Sequence, residues 1–368
     1  MENKTPKELG FTMPFEGEDH LGTVVEFPYR GDVWRKDAKY ALQSFIYLVK
    51  VIANYESVFA IIDPRVKGSE ELTKLRSHHN VTFLSLPYDD SWARDNLPVF
   101  VRDRNHRLAA VDFGFNAWGG KFNGLYSHWD DDNELGARLT KVLGLRRFPL
   151  KDFVLEGGSI HTDGEGTLLV TEECLLSKGR NPELDKEAIA KILCDYLGQK
   201  KVIWLPFGVY GDETGGHVDN IARFLDPTHV LLGVTNDEKD PQYRRSQKDF
   251  EVIATSTNAQ GARLEVVPMP MPKPLYESQT EAWGIKPFEG SKPRKAGNRL
   301  AASYVNFYMG HDFIVLPSFG IREDDMAKKI LVDFYKGSRK VIEVPGREIL
   351  LGGGNIHCIT KEIPSGLK

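Results

Sequence analysis

The chain has 368 residues, of which 41% are hydrophobic, and its 48 Lys and Arg nearly balance its 52 Asp and Glu, for a net charge of −4. This composition is typical of a water-soluble protein with a real core, and the lack of a basic excess argues against a nucleic-acid partner. The first seven residues are polar, and the longest apolar run, 45–53, is too short to cross a membrane. We therefore expect neither nucleic acid nor membrane as a partner.

The cysteines show no pairing pattern: they are Cys174, Cys194 and Cys358. A small, odd number of cysteines indicates free thiols in a reducing compartment, so we expect a cytoplasmic protein. The chain has no CxxC or HxxxH pair, so we expect no metal site. We also expect Cys174 to be an inert buried thiol and Cys194 to lie in the core.

In chain order, short strands alternate with amphipathic helices. Apolar side chains at helical spacing from Phe45 to Ile52 predict a first helix with Asp37 as its cap. Two more helices are predicted around 189–196 and 327–334, each followed by a glycine. Buried strands are predicted at 58–62, 81–86, 202–205, 229–234 and 313–316, and a long surface loop at 268–291. The class is α/β, with residues 1–368 in one domain.

The sequence also contains weak internal repeats. Residues 157–161 are Gly-Gly-Ser-Ile-His, residues 353–357 are Gly-Gly-Asn-Ile-His, and a third glycine pair precedes His217. Asp95, Glu156 and His217 follow one another at intervals of 61 residues, and Cys358 lies 141 residues further on. This spacing predicts about five similar units, each of which directs one polar residue towards a common central cavity.

Four segments concentrate residues of catalytic type: 89–96, 155–159, 213–220 and 352–358. Taken alone, a glycine pair usually makes a turn, a histidine is usually a structural core residue, and a free Cys packs as a small hydrophobe. The glycines before Cys358, Gly353 among them, are less ordinary, because they let a ligand approach the backbone beside the thiol. A thiol with a histidine and acids is also the outline of cysteine proteases and acyltransferases. Several acids around one thiol, however, indicate a cationic substrate.

All four segments resemble those of the agmatine deiminases, a branch of the guanidino-group-modifying superfamily that includes arginine and peptidylarginine deiminases. The similarity runs along most of the chain, with its longest strings at 10–14, 115–120, 155–166, 175–182, 216–224 and 352–360. The resemblance implies a five-bladed pseudo-symmetric α/β propeller (pentein) with a central active site, in agreement with the spacing. It also implies a homo-oligomer.

The resemblance implies a role for each matching position. Cys358 is expected to be the nucleophile and His217 the general acid/base. Asp95 and Asp219 are expected to hold the guanidinium group. Glu156 is expected to support the histidine and to help neutralise the cation.

The expected reaction is hydrolysis of agmatine to N-carbamoylputrescine and ammonia through an amidino-cysteine. The Cys358 thiolate adds to the guanidinium carbon, His217 donates a proton to the departing nitrogen, and water then hydrolyses the adduct. No metal or organic cofactor is required. Because neighbouring carboxylates raise the pKa of a thiol, we expect binding of the cationic substrate to promote ionisation of Cys358.

Two further positions bear on the choice of substrate. Trp92 is expected, from the resemblance, to line the pocket beside the alkyl chain, and Glu213 is a candidate for reading the distal amine of agmatine. The chain departs from the agmatine deiminase pattern at Gly215 and Phe27, and both changes could reshape the pocket mouth.

Three readings of the function therefore stay open. The first is agmatine deimination. The second is hydrolysis of another guanidine, or transfer of its amidino group to an amine. The third is binding of guanidines or polyamines without turnover, which the intact set of Cys358, His217, Asp95 and Asp219 disfavours.

Overall fold

The computed structural model describes residues 4–367, in which strands and helices alternate. The strands are β1 (Phe11–Thr12), β2 (His20–Glu26), β3 (Val58–Ile62), β4 (Val81–Ser85), β5 (Val99–Asp103), β6 (Leu108–Gly114), β7 (Arg146–Val154), β8 (Ile160–Thr162), β9 (Thr167–Thr171), β10 (Lys201–Leu205), β11 (Ala222–Phe224), β12 (His229–Val234), β13 (Glu265–Pro270), β14 (Leu275–Tyr276), β15 (Arg299–Leu300), β16 (Tyr308–Met309), β17 (Phe313–Ser318), β18 (Lys340–Pro345) and β19 (Thr360–Pro364). The α-helices are α1 (Lys39–Ala53), α2 (Glu70–Leu75), α3 (Ala93–Asn96), α4 (Gly120–Asn123), α5 (Asp130–Leu143), α6 (Glu172–Leu175), α7 (Lys186–Leu197), α8 (Pro241–Thr255), α9 (Gln279–Ala282), α10 (Glu323–Tyr335) and α11 (Arg347–Leu351).

Five sheets in this part of the chain share one connectivity. In each sheet an antiparallel pair of strands is followed by a helix that leads to a parallel third strand. The five units are β5–β6–α5–β7, β8–β9–α7–β10, β11–β12–α8–β13, β16–β17–α10–β18 and β19–β2–α1–β3. The last unit pairs a C-terminal strand with an N-terminal one, so it joins the two ends of the described chain. The fold is a mixed α/β fold, as the alternation of patterns predicted.

Most predicted elements are present, and the strands at 58–62 and 229–234 have the predicted bounds. α7 ends as predicted, because Gly198 takes a left-handed conformation with φ 66°. The predicted cap of α1 is wrong. Ala38 precedes the helix with φ 62° and makes no side-chain cap, while the Asp37 carboxylate pairs with Lys67 and Lys286.

Two other expectations are corrected. The segment 268–291 is not one loop, because it contains the end of β13, all of β14 and α9. Cys194 is half-buried rather than in the core. Its helix, α7, buries Ile189, Leu193 and Leu197, and Cys194 follows Leu193 about 100° around the helix from that face.

The apolar core is divided among the units, and each crossover helix packs its apolar face on its own sheet. In the unit β19–β2–α1–β3, α1 buries Phe45, Leu48, Val49 and Ile52. Burial of each such side chain stabilises the fold by roughly 1.5–3 kcal/mol. The crossover helices thus cover the sheets, and the predicted site residues lie instead on the turns before the first strands. Within residues 4–367, no helix combines the length and the hydropathy needed to span a bilayer.

Candidate active site

The predicted site residues lie on short turns that precede the first strands of the units. Asp95 belongs to α3, which leads into β5. Glu156 begins the 3-10 turn Gly157–Ser159 before β8, and His217 begins the turn Val218–Asn220, which holds Asp219, before β11. Cys358 lies in the turn His357–Ile359 before β19. The same position in four of the five units thus carries a predicted site residue, where the spacing predicted one in every unit.

Three of these side chains meet at Gly158. A Cβ atom there would lie 2.6 Å from His217 Nδ1, 2.8 Å from Asp95 Oδ1 and 2.9 Å from Asp219 Oδ2. The Gly158 backbone N–H donates to Asp95 Oδ1 at 2.9 Å. A glycine is required at this position because any side chain would push the three polar groups apart.

Cys358 is buried, and its Sγ lies 3.9 Å from Asp219 Oδ2. The Asn306 side-chain amide donates to Sγ at 3.2 Å. Burial, together with the charges of Asp219 and Asp95, raises the pKa of the Cys358 thiol well above its usual value. The free site therefore keeps Cys358 as a neutral thiol near pH 7.

The two carboxylates beside the thiol are held differently. Asp95 Oδ2 accepts from the Trp118 indole at 2.8 Å, and its other oxygen accepts from Gly158. Asp219 Oδ2 faces His357 Nδ1 at 2.8 Å, whereas Asp219 Oδ1 is buried without a hydrogen-bond partner among the described residues. Burial raises the pKa of Asp95 to about 6, and Asp219 and Glu156 add to the rise while His217 opposes it.

His217 is wholly buried between two acids. Its Nδ1 lies 3.8 Å from Asp95 Oδ2, and its Nε2 lies 3.8 Å from Glu156 Oε2. Burial disfavours the imidazolium, but Asp95, Cys174 and Glu156 outweigh it and raise the pKa of His217 well above its usual value. His217 is therefore protonated near pH 7 and able to act as an acid.

Cys174 is buried as expected, but it is not remote from the site. Its Sγ, a His217 ring nitrogen and a Glu156 oxygen lie within 4.8 Å of one another. Such a trio has the donor types of a zinc site. The Arg180 Nε lies 2.9 Å from Glu156 Oε1, however, and a guanidinium on one ligand beside a protonated histidine disfavours a metal ion.

Arg180 connects three of the segments that form the site. Besides Glu156, it donates to the backbone oxygens of Trp118 at 2.7 Å and Thr214 at 2.5 Å. Burial raises the pKa of Glu156, but the charges of Arg180 and His217 outweigh it, and the net pKa is lowered. Arg180 therefore keeps Glu156 ionised behind His217.

A small cavity leads to the thiol, and its lining includes Trp92, Asp95, Trp118, Gly353 and Cys358. Gly353 has φ 112°, a conformation that L side chains rarely adopt, so its backbone can border the cavity closely.

Glu213 lies further out, in an adjoining cleft lined also by Trp92, Trp118 and Arg294. The Glu213 carboxylate is about a quarter exposed, and its Oε2 lies 2.6 Å from Arg294 Nη1. Glu213 thus lies in the adjoining cleft and not in the cavity at the thiol, and it is already paired with a cation.

The two departures from the family pattern lie away from the thiol. Phe27 is wholly buried and stacks on Phe83 in the core, with ring centroids 6.1 Å apart. Gly215 has φ 84°, and a Cβ there would approach only the Arg180 guanidinium, at 3.5 Å. Neither residue lines the cavity at the thiol or the adjoining cleft, both of which are lined by Trp92.

Sequence reasoning missed four contributors to the site: Trp118, Arg180, Asn306 and His357. Trp118 and Arg180 fall inside strings that carry the family resemblance, at 115–120 and 175–182, so a signal existed. The fivefold spacing left a gap between His217 and Cys358, and Asn306 fills it on the segment before β16. His357 carried only the signal of the repeated Gly-Gly-x-Ile-His string.

Comparison with known proteins shows the family to which the chain belongs. The sequence model of the Porphyromonas-type peptidyl-arginine deiminase family matches residues 12–364. The agmatine deiminase of Pseudomonas aeruginosa (strain LESB58) is 45% identical over 365 residues, which cover 99% of this chain and 98% of that protein. The solved agmatine deiminase of Enterococcus faecalis superposes with a TM-score of 0.93 at 35% identity, covering 99% of this chain and 98% of the other. The C. jejuni agmatine deiminase gives 0.81 at 29% identity, with 98% of each chain covered.

The chain therefore belongs to the Porphyromonas-type peptidyl-arginine deiminase family. Its similarity to agmatine deiminases, which are enzymes of guanidino-group hydrolysis, extends over almost the whole chain. The resemblance predicted from the sequence is confirmed.

Proposed function

We propose that the protein hydrolyses agmatine to N-carbamoylputrescine and ammonia, with Cys358 as the nucleophile. The observation that carries the proposal is the buried Cys358 thiol beside the carboxylates of Asp219 and Asp95, with protonated His217 3.8 Å from Asp95. A thiolate beside two carboxylates is unfavourable unless a cation binds among them. A guanidinium is a planar cation that suits such a site.

Asp219 and Asp95 would hold the two sides of the guanidinium. Asp219 Oδ1 has no hydrogen-bond partner among residues 4–367 and is free to accept from a guanidinium N–H. Asp95, whose pKa is about 6, loses any remaining proton when the cation arrives. Fixing the plane exposes the central carbon to Cys358, and such positioning can lower a barrier by several kcal/mol.

The chemistry then needs two proton transfers at His217. Binding of the cation drives the Cys358 proton to solvent, the thiolate adds to the guanidinium carbon, and protonated His217 gives its proton to the nitrogen that leaves as ammonia. Neutral His217 next takes a proton from water, which attacks the cationic amidino-cysteine and releases the ureido product and the neutral thiol. The raised pKa of His217 supports the first transfer, and Glu156 keeps the imidazolium stable.

The cavity favours a narrow, extended substrate. Trp92 and Trp118 form apolar walls for a chain of methylenes, and Gly353 borders it with bare backbone. Glu213 lies in the adjoining cleft, where it would bind the primary amine of agmatine in place of Arg294. The α-carboxylate of free arginine would meet the Glu213 charge and is disfavoured.

The repeated connectivity supports a specific architecture. We propose that the five units form a single-domain, five-bladed α/β propeller in which the turns before the first strands surround the site. The homo-oligomeric state and the cytoplasmic location expected from the sequence stay predictions.

The test is a comparison of three guanidines. Purified protein is incubated with agmatine, free arginine and a blocked arginine peptide, and ureido product and ammonia are quantified. We expect turnover of agmatine alone, and we expect Cys358→Ser to bind agmatine without releasing ammonia. Turnover of another guanidine would move the substrate and keep the mechanism, whereas turnover by Cys358→Ser would refute the nucleophile.

A further inference from the structure

The two Gly-Gly-x-Ile-His strings place their histidines around one buried acid. His161 Nε2 lies 3.4 Å from Glu16 Oε2, and His357 Nε2 lies 3.0 Å from both oxygens of Glu16. All three side chains are buried. The repeat in the sequence therefore corresponds to a repeated structural role, namely anchoring to Glu16.

The other ring nitrogens of the two histidines differ in what they contact. His161 Nδ1 accepts from the backbone N–H of Phe224 at 3.2 Å, which is a bond within the fold. His357 Nδ1 instead faces Asp219 Oδ2 at 2.8 Å. Only the copy next to Cys358 thus contacts a carboxylate of the candidate site.

We propose that His357 is a positioning residue that fixes the rotation of the Asp219 carboxylate. By donating to Oδ2, it leaves Oδ1 as the oxygen that meets the guanidinium, and Oδ1 is the oxygen without a hydrogen-bond partner in the described structure. His357 and Cys358 are consecutive in one 3-10 turn, so the same turn sets both the nucleophile and the carboxylate opposite it. The inference rests on the proposed function, in which Asp219 holds the substrate.

The anchor behind His357 is itself held firmly. Glu16 accepts from Arg94 at 3.0 Å and from Arg223 at 2.8 Å. The backbone N–H of His357 donates to Asn306 Oδ1 at 2.9 Å. The imidazole is thus fixed at both ring nitrogens and at its backbone, as a group that orients another must be.

Two substitutions separate the two ring contacts. In general the side-chain amide of Asn reaches the position of a histidine Nδ1, and that of Gln reaches the position of Nε2. His357→Asn therefore keeps the Asp219 contact and loses Glu16, and His357→Gln does the reverse. We expect His357→Gln to raise KM for agmatine and to lower kcat/KM by about 10²-fold, the cost of a misplaced binding group, and we expect His357→Asn, which keeps the Asp219 contact, to raise KM clearly less.

His161 supplies the matched control. His161→Gln keeps the Nε2 side that faces Glu16 and removes the equally buried Nδ1 bond to Phe224 without touching Asp219, so it should lower the thermal midpoint and leave KM unchanged. Equal increases in KM for His357→Asn and His357→Gln would overturn the inference, because a merely structural histidine would not distinguish them.

Crystal structures decide the point without turnover. Asp219 should keep its orientation in His357→Asn and rotate in His357→Gln, and an unmoved Asp219 in the latter would overturn the inference.

Where a His357 variant fails to fold, Cys358→Ser crystals with agmatine should show the guanidinium on Asp219 Oδ1 and His357 still on Oδ2. A guanidinium that displaces His357 from Oδ2 would overturn it. If the unaltered protein leaves agmatine unchanged, the proposed function fails, and the orientation of Asp219 in the two variants still tests the inference.

Discussion

At the scale of single residues, the pKa values of His217 and Cys358 are shifted by different neighbours. His217 lies between acids that hold its proton, whereas burial and the nearby charges of Asp219 and Asp95 keep the Cys358 proton in place. The free site thus holds a protonated histidine and a neutral thiol. In the mechanism we propose, a bound cation lowers the pKa of the thiol, so substrate binding and activation of Cys358 are one electrostatic event.

Alkylation of Cys358 tests this coupling. The neutral reagent chloroacetamide should react slowly with Cys358 near pH 7, because the raised pKa leaves little thiolate. The cationic reagent chloroacetamidine should react much faster, because it pairs with Asp95 and Asp219 before the sulfur attacks. Both rates are measured by mass spectrometry of the Cys358 peptide and divided by the rates with free cysteine. Equal normalised rates for the two reagents would contradict the prediction.

Gly158 provides a second test at the residue scale. Gly158→Ala puts a methyl group within 3 Å of polar atoms of His217, Asp95 and Asp219, so these groups must move apart. A displacement of this kind is expected to lower kcat/KM by about 10²-fold. Gly68→Ala is the control, since a Cβ at Gly68 meets no atom within 4 Å. Full activity in Gly158→Ala would show that the three side chains do not act from the positions described.

At the scale of elements, regular patterns were predictable and contacts between segments were not. The bounds of β3 and β12 follow from short apolar runs, and α7 ends where Gly198 permits a left-handed turn. The cap of α1 failed because two distant lysines, Lys67 and Lys286, pair with Asp37. Local spacing holds no information about such partners.

The same distinction applies to the site. The five predicted catalytic residues lie on the corresponding turns of four units, because His217 and Asp219 share one turn. The spacing of 61 residues between Asp95, Glu156 and His217 expressed this regularity. Arg180 and His357 contact distant segments, and the local strings that contain them gave no sign of these partners. Residues of catalytic type were therefore accessible from sequence, whereas their long-range contacts were not.

Glu213 and Arg294 come from two different segments and form an ion pair in the cleft beside the cavity, and this pair gives a prediction at the scale of elements. Glu213→Gln should raise KM for agmatine about tenfold with kcat nearly unchanged, since a hydrogen bond between charged groups contributes about 1.5 kcal/mol to ground and transition states alike. Steady-state kinetics measure both constants. Glu289→Gln changes an exposed acid of the segment that holds Arg294, and it should change neither KM nor kcat. An unchanged KM in Glu213→Gln would remove Glu213 from the substrate site.

At the scale of the whole molecule, one buried acid near the N-terminus contacts several units. Glu16 pairs with Arg94 before β5, with Arg223 in β11, with His161 in β8 and with His357 before β19. The pairing of β19 with β2 joins the chain ends beside this cluster. The units are thus connected by the charges around Glu16 and by the pairing of β19 with β2.

Loss of the Glu16 charge should therefore weaken the whole fold, and in a pH-dependent way. Burial raises the pKa of Glu16, but His357, Arg94 and His161 outweigh it and lower the pKa well below 4.5. A group whose pKa is lower in the folded than in the unfolded state stabilises the protein above the unfolded-state pKa, and this stabilisation is lost as pH falls through the folded-state pKa.

Glu16→Gln should cost about 3–5 kcal/mol of unfolding free energy near pH 7 and flatten the loss of stability on acidification below about pH 4.5. Denaturant unfolding at several pH values measures both effects, with Asp333→Asn, in an exposed pair with Lys329, as a control that costs less than about 1 kcal/mol. If Glu16→Gln and Asp333→Asn lost equal stability, the charges that pair with Glu16 would not hold the units together.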